Sequence, residues 1–201
     1  MTSGMITSKD VSELRARTGA GMMDCKRALE EAGGDLEKAG EILRKKGIAK
    51  AEKRTGKSAS QGVIVSYLHH NGQVGALLEL NCETDFVART DEFQQLARDL
   101  ALHVASADPI GVNPEDVPVE VLERERRIAE AQVAEEGKPE NIRARIVDGK
   151  LKKFVAERTL TEQLYVKDDK KTIGQLIKEA SGKLGEAIAV RRFARFRVGE
   201  G

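Results

Sequence analysis

The chain has 201 residues, 40% of them hydrophobic and 33% charged, with a formal net charge of +1. That length carries one sizeable core, or a core with a small module beside it. The balanced charge gives no global basic field for bulk nucleic-acid binding, so no direct nucleic-acid partner is expected, and no run approaches the ~18 apolar residues of a membrane span.

The stretch Met1 to Asp10 has no hydrophobic segment suited to secretion, which makes the cytoplasm the expected location. Thr7 and Ser8 cap a first helix predicted from Lys9 to Arg17, with Val11 and Leu14 inward. Gly19-Ala20-Gly21 breaks it. Without a third Gly or a preceding strand this is a helix–helix turn, not a dinucleotide-binding loop. A second helix from Met22 to Ala32 sets Met22, Cys25, Leu29 and Ala32 at helical spacing, and Gly33-Gly34 ends it. Asp35 caps a third, Leu36 to Lys46, with Ala39, Ile42 and Leu43 inward, and Gly47 is expected to stop it. Residues 1–48 thus form a three-helix module.

From Arg44 to Lys57 seven lysines and arginines stand against one glutamate, and Thr55 to Ser60 is small and polar. Residues 49–61 therefore read as a basic linker leading into a second region, 62–201. Gly56-Lys57-Ser58 echoes the end of a phosphate-binding loop, but Ala51 stands where the first Gly is required and no strand precedes it.

The clearest strand signal comes next: Gly62 to His70 and Val74 to Cys82 alternate, and Asn71-Gly72 between them predicts a two-residue hairpin turn. His69 and His70 fall at the tip, where adjacent strand residues face opposite ways and so do not share a metal. Cys25 and Cys82, without metal-type spacing, read as free buried thiols.

The second strand runs into Glu79-Leu80-Asn81-Cys82-Glu83-Thr84-Asp85-Phe86-Val87, a strand-to-helix corner that ends on an abrupt aromatic. Phe86 is one of five Phe in a chain with two Tyr and no Trp. Two readings stand for it: a staple onto the apolar stripe of the next helix, or a side chain held out of the fold on a rigid backbone. That next helix opens at Thr90-Asp91-Glu92 and runs to Ser106, with Phe93, Leu96, Ala97, Leu100 and Val104 forming a continuous stripe.

Pro118 then starts a charged helix to Glu136 with a thin apolar face of Val121, Leu122, Ile128 and Ala129. Gly137-Lys138-Pro139 turns into two short helices, Glu140 to Asp148 and Lys150 to Arg158, and Thr172 opens another over Ile173, Leu176, Ile177 and Ala180. A last strand, Ala187 to Val198, loses its alternation at Arg191-Arg192-Phe193, through a bulge or through cover on both faces. The fold class is α+β, a small antiparallel sheet packed by helices. No nucleophile elbow, Ser-His-Asp order or zinc spacing is present, so neither an enzyme, a metal site nor a cofactor is expected.

Two blocks carry a resemblance to a known family. Leu14 to Leu29 (Leu-Arg-Ala-Arg-Thr-Gly-Ala-Gly-Met-Met-Asp-Cys-Lys-Arg-Ala-Leu) resembles the amino-terminal signature of elongation factor Ts, and Glu79 to Arg89 resembles its second signature. Weaker similarity continues through Gly137-Lys138-Pro139, Leu151 to Phe154 and Val166 to Asp168. The resemblance implies a guanine-nucleotide exchange factor for elongation factor Tu, with an amino-terminal module similar to ubiquitin-associated domains. It further implies that Thr84, Asp85, Phe86 and Val87 approach the switch region of elongation factor Tu, Phe86 as a wedge, and that Arg15, Met22 and Met23 grip a helix of its nucleotide-binding domain. Met22 also falls on the inner stripe of its own helix, so core and contact readings both stand. The chain is similar to the short members, whose single core implies a symmetric homodimer; His69, His70, the charged helix and the last strand are candidate interface pieces. Two alternatives of other classes are an RNA- or ribosome-associated adaptor using Arg44 to Lys57 as a basic arm, and a helix-binding module built on the amino-terminal bundle.

Overall fold

Local capping sets the amino-terminal helices of the structure, a computed structural model that describes residues 6–54, 56–137 and 139–200. Thr55 and Lys138, named above in two loops, and the start of the chain, Met1 to Met5, lie outside the described residues. Helix α1 (Ser8–Thr18) opens on a capping box: the Thr7 hydroxyl accepts the Asp10 N–H at 3.2 Å, and the Asp10 carboxylate accepts the Thr7 N–H at 2.9 Å. The Thr7 hydroxyl, 2.7 Å from the same carboxylate, and after it the Thr7 N–H hold the Asp10 carboxyl below its usual range. Gly19 ends the helix at a φ of +67°, a conformation glycine adopts freely. Helix α2 spans Met22–Glu31 and α3 spans Leu36–Glu52, the latter capped by the Asp35 carboxylate on the N–H groups of Glu37 and Lys38. Val11, Leu14, Cys25, Ala28, Leu29, Ala39 and Leu43 form their shared core.

Gly47 does not stop α3, contrary to the sequence expectation. A glycine inside a helix costs about 1 kcal/mol, and the Ala, Lys and Glu residues around it are strong helix formers. It occupies a point of backbone contact: a Cβ on Gly182 would lie 2.5 Å from the Gly47 carbonyl carbon.

The chain forms two compact units, neither of them one continuous stretch. The first takes the residues up to Gly62, Asn81–Gln94 and Ile177–Ala189; the second takes Val63–Leu80, Gln95–Leu176 and Val190 onward.

In chain order the remaining elements are β1 (Gln61–Leu68), β2 (Val74–Cys82), α4 (Asp85–Ala88), α5 (Asp91–Ala107), α6 (Val119–Glu135), α7 (Glu140–Arg158), β3 (Leu164–Tyr165), β4 (Asp168–Thr172), α8 (Ile173–Leu184) and β5 (Ala189–Arg197). The second unit holds the body of a sheet ordered β1-β2-β5. Val198 N–H donates to Gln73 and Arg192 pairs with Glu79, so β5 runs antiparallel to β2. Burial along β5 resolves the break in its alternation: Arg191 and Arg192 are both exposed, after which inward residues resume at Phe193 and Arg195 in the opposite parity. That is the shift one inserted residue produces. Arg195 donates to the Ala105 carbonyl at 3.2 Å, which ties β5 to α5.

Three further expectations are corrected. The hairpin connection is longer than a two-residue turn: His69 N–H donates to Val74, Gly72 N–H to His69, and the Asn71 side chain accepts the Gln73 N–H. The stretch expected as two short helices is the single helix α7, continuous through Gly149. On α6 the buried residues are Ala129 and Val133, while Ile128 is exposed, because the helix turns that stripe toward Val147 of α7. The β3–β4 ribbon, made largely of Asp and Lys, carries no alternating pattern that could have announced it. In the same unit His103 is fully buried, its Nε2 3.0 Å from the Gln163 side-chain oxygen and its Nδ1 accepting the Val166 N–H at 3.3 Å. The fold is α+β, as the sequence predicts.

Candidate partner-binding site

β2 ends at Cys82, and Thr84 caps the four-residue helix α4 by accepting the Val87 N–H at 3.4 Å. The Thr90 hydroxyl then donates to the Val87 carbonyl at 2.8 Å, Gln94 donates to the Ala88 carbonyl at 2.8 Å, and Arg89 pairs with Asp85 at 2.9 Å. The turn is therefore closed on both sides by its own side chains. Cys82 lies beneath it, donating to the Thr84 carbonyl; burial, with the charge of Glu186, pushes its thiol pKa up, so it stays a neutral donor.

On this frame Phe86 is 80% exposed. The staple reading is overturned. α4 is a separate turn ahead of α5, Ala88 takes its buried position, and the inward aromatic is Phe93, fully buried. Thr84, Asp85 and Val87 are half-buried around the projecting ring.

The other sequence-predicted contacts behave alike. Arg15 is exposed on α1, and Met22 and Met23 are 50% and 62% exposed at the start of α2, because Cys25, Ala28 and Leu29 fill the inner stripe. Met22 is thus a surface residue, not a core one. Arg15, Met22, Met23 and the Thr84–Val87 turn all belong to the first unit. His69 and His70 belong to the second. Because β1 stops at Leu68 the two His lie in the loop, and their rings sit 4.2 Å apart instead of on opposite faces, with His69 Nδ1 3.0 Å from the Tyr67 hydroxyl. Among the described residues no three His, Cys, Asp or Glu gather as a metal site would need, and no helix is long and apolar enough to cross a membrane.

What joins the two signature blocks came from a stretch to which the sequence assigned no role. The Glu186 carboxylate accepts the N–H groups of Glu83 and Thr84 at 3.1 and 3.0 Å and the Thr84 hydroxyl at 2.6 Å. In return Glu83 accepts the Ala187 N–H at 2.7 Å and Arg54 at 2.6 Å, and these two donors hold its carboxyl below its usual range, the Ala187 N–H most strongly. Gly19 of the first signature lies against the Lys183 side chain, whose Nζ pairs with Glu92 on α5 at 2.6 Å. Gly185, past the end of α8, marks a helix terminus in the sequence, but nothing local says where the next carboxylate reaches. The basic segment is also occupied: Arg44 pairs with Glu179, Lys46 with Glu31, Lys50 with Asp24 and Arg54 with Glu83.

Phe86 stands outward on a capped turn, and Met22 and Met23 stand outward at the start of α2, large apolar side chains at the surface of the first unit. The model of the family Elongation factor TS matches residues 6–200. The chain is 53% identical over 197 residues to elongation factor Ts of Desulfosudis oleivorans, covering 98% of this chain and 100% of that one. It is 56% identical over 197 residues to elongation factor Ts of Carboxydothermus hydrogenoformans (98% and 91% covered), and 55% identical over 196 residues to that of Thermosipho melanesiensis (98% and 100%). The chain belongs to the elongation factor Ts family.

Proposed function

We propose that this protein binds elongation factor Tu and releases its GDP by disturbing the magnesium and phosphate site, so that GTP can rebind. The observation that carries the reading is the 80% exposed Phe86 on a turn fixed by Thr84 and Glu186. A rigid aromatic inserted between elements of a partner displaces them without first losing its own conformational freedom. Magnesium is the main counter-charge of a diphosphate, so shifting its supports weakens nucleotide binding. Linkage makes the effect mutual: GDP with magnesium loosens this protein on elongation factor Tu by the same factor. Arg15, Met22 and Met23 supply the grip, with Met suited to an adaptable contact. Such a factor works where translation does, in the cytoplasm. The test is stopped-flow release of a fluorescent GDP analogue from elongation factor Tu in magnesium. Acceleration of orders of magnitude that Phe86→Ala removes, with the unfolding midpoint unchanged, is the expected result; no acceleration by the unaltered protein would sink the reading.

A homodimer is the second part of the proposal. The outward face of the sheet exposes Ile64, Leu68, Leu77, Phe196 and Val198, an apolar set drawn from the hairpin and the last strand. A second copy covers such a face isologously. Sedimentation should give twice the chain mass at micromolar concentration, falling to the chain mass in Leu77→Glu; a monomeric unaltered protein would refute it.

A further inference from the structure

The turn that presents Phe86 is held by a side chain about a hundred positions downstream, and all three donors on that side chain come from Glu83 and Thr84. Oε2 of Glu186 takes the two successive backbone N–H groups, and Oε1 takes the Thr84 hydroxyl. The hydroxyl hydrogen is thereby committed to Glu186, which leaves the Thr84 oxygen's lone pairs for the Val87 N–H that closes α4. Glu186 is itself fixed. Its carbonyl accepts the Ser181 hydroxyl at 2.5 Å, and the chain enters it through Gly185, whose N–H closes α8 on Ser181 at 2.9 Å and whose φ is +75°. The reciprocal bond from Ala187 to Glu83 and the Arg54–Glu83 pair complete a closed set of charge-assisted bonds around two residues of backbone.

We propose that Glu186 is a positioning residue for nucleotide exchange: its carboxylate orients the Thr84 hydroxyl and so fixes the direction in which α4 presents Phe86. This rests on the exchange reading above. The chemistry requires a carboxylate. A glutamine keeps the backbone pair on its one oxygen and turns the other bond around, its NH2 donating to the Thr84 hydroxyl oxygen, so the charge is lost and the hydroxyl hydrogen is no longer committed; an alanine keeps neither bond. Glu186 acts on the partner only through the Thr84–Val87 turn, whose wedge is Phe86, so its loss lowers the maximal rate of GDP release and leaves the grip of Arg15, Met22 and Met23 in place.

The experiment measures the saturating GDP-release rate and the half-saturating concentration for the unaltered protein, Glu186→Ala, Glu186→Gln, Phe86→Ala and the double variant Phe86→Ala with Glu186→Ala. Glu186→Ala is expected to lower the saturating rate about tenfold, the equivalent of one charge-assisted bond, with Glu186→Gln between it and the unaltered protein. The half-saturating concentration should change less than about threefold, a small effect on affinity. The double variant should release GDP no more slowly than Phe86→Ala alone, because Glu186 acts through that ring. Losses that multiply in the double variant, a Glu186→Ala rate like that of the unaltered protein, or a change confined to half-saturation would each overturn the assignment. Should Glu186→Ala fail to fold, Glu186→Gln carries the same cycle. An unaltered protein that leaves GDP release unchanged overturns the exchange reading itself, an outcome distinct from any of these.

Discussion

The first unit and the α6–α7 arm of the second reach order by opposite routes. The first unit is assembled from three distant stretches, closed by helix backbones in direct contact at Gly47 and Gly182 and by carboxylates bonded to loop N–H groups. The arm is contiguous. Two charged helices meet over Ala129, Val133 and Val147, neither has a side-chain cap, and exposed pairs such as Lys150–Glu136 and Arg126–Asp148 line the contact. Exposed pairs contribute little, typically below about 1 kcal/mol. The residues assigned to partner contact sit on the non-locally built unit. Within it the Phe86 turn is held by bonds to a distant stretch, whereas Arg15, Met22 and Met23 ride on the contiguous α1–α3 core.

Breaking the contrast where it is sharpest gives the largest effect. Gly182→Ala puts a methyl 2.5 Å from Gly47 backbone, where no flexible side chain can yield. We expect a loss of about 2–3 kcal/mol in urea unfolding, and unchanged stability would show that the helices part easily. A smaller effect tests the second unit's own polar core. The Val166 N–H requires an unprotonated Nδ1 on His103, and burial lowers the pKa of the imidazole below its ordinary 6.5. Below that value the unfolded chain binds a proton that the folded chain refuses, so stability is complete above pH 6.5 and declines as pH falls. Urea midpoints at pH 7.5 and 5.5 should show that decline, and His103→Gln should remove most of it. The smallest effect has the opposite sign: Gly149→Ala, in the middle of α7 with open space around it, should stabilise by about 0.5–1 kcal/mol. A loss there would mean that the arm's helix is constrained by something other than propensity.

Legibility in the sequence follows the same division. Capping residues, the hairpin and the stripe on α5 are local patterns, and Thr7, Asp35, Val74–Cys82 and Phe93 to Val104 occur as read. Gly47 and Gly149 misled as stop signals for different reasons. At Gly149 neighbouring helix formers outweigh one glycine, whereas at Gly47 the absent side chain serves a contact with α8 that no local pattern contains. Thr84 to Val87, Met22 and Met23 entered through the resemblance of their two blocks to a family signature, and local pattern alone left Met22 between core and surface. The fate of Phe86 was not legible, since a staple and an exposed wedge share the same sequence position; only the separation of α4 from α5 distinguishes them. Glu186 was invisible, because its partners lie more than a hundred residues away in the chain.

The late position of α8 also governs how the molecule is made. A chain growing from its amino end has made all the residues of the three-helix core and of the Thr84–Val87 turn long before Gly182 and Glu186, which complete their contacts, leave the ribosome. Until then the nascent protein carries both signature blocks without the segment that joins them. The first unit is thus finished only late in synthesis, and in a nascent chain arrested before α8 the Phe86 turn would lack its bonds to Glu186 and Gly19 its contact with Lys183.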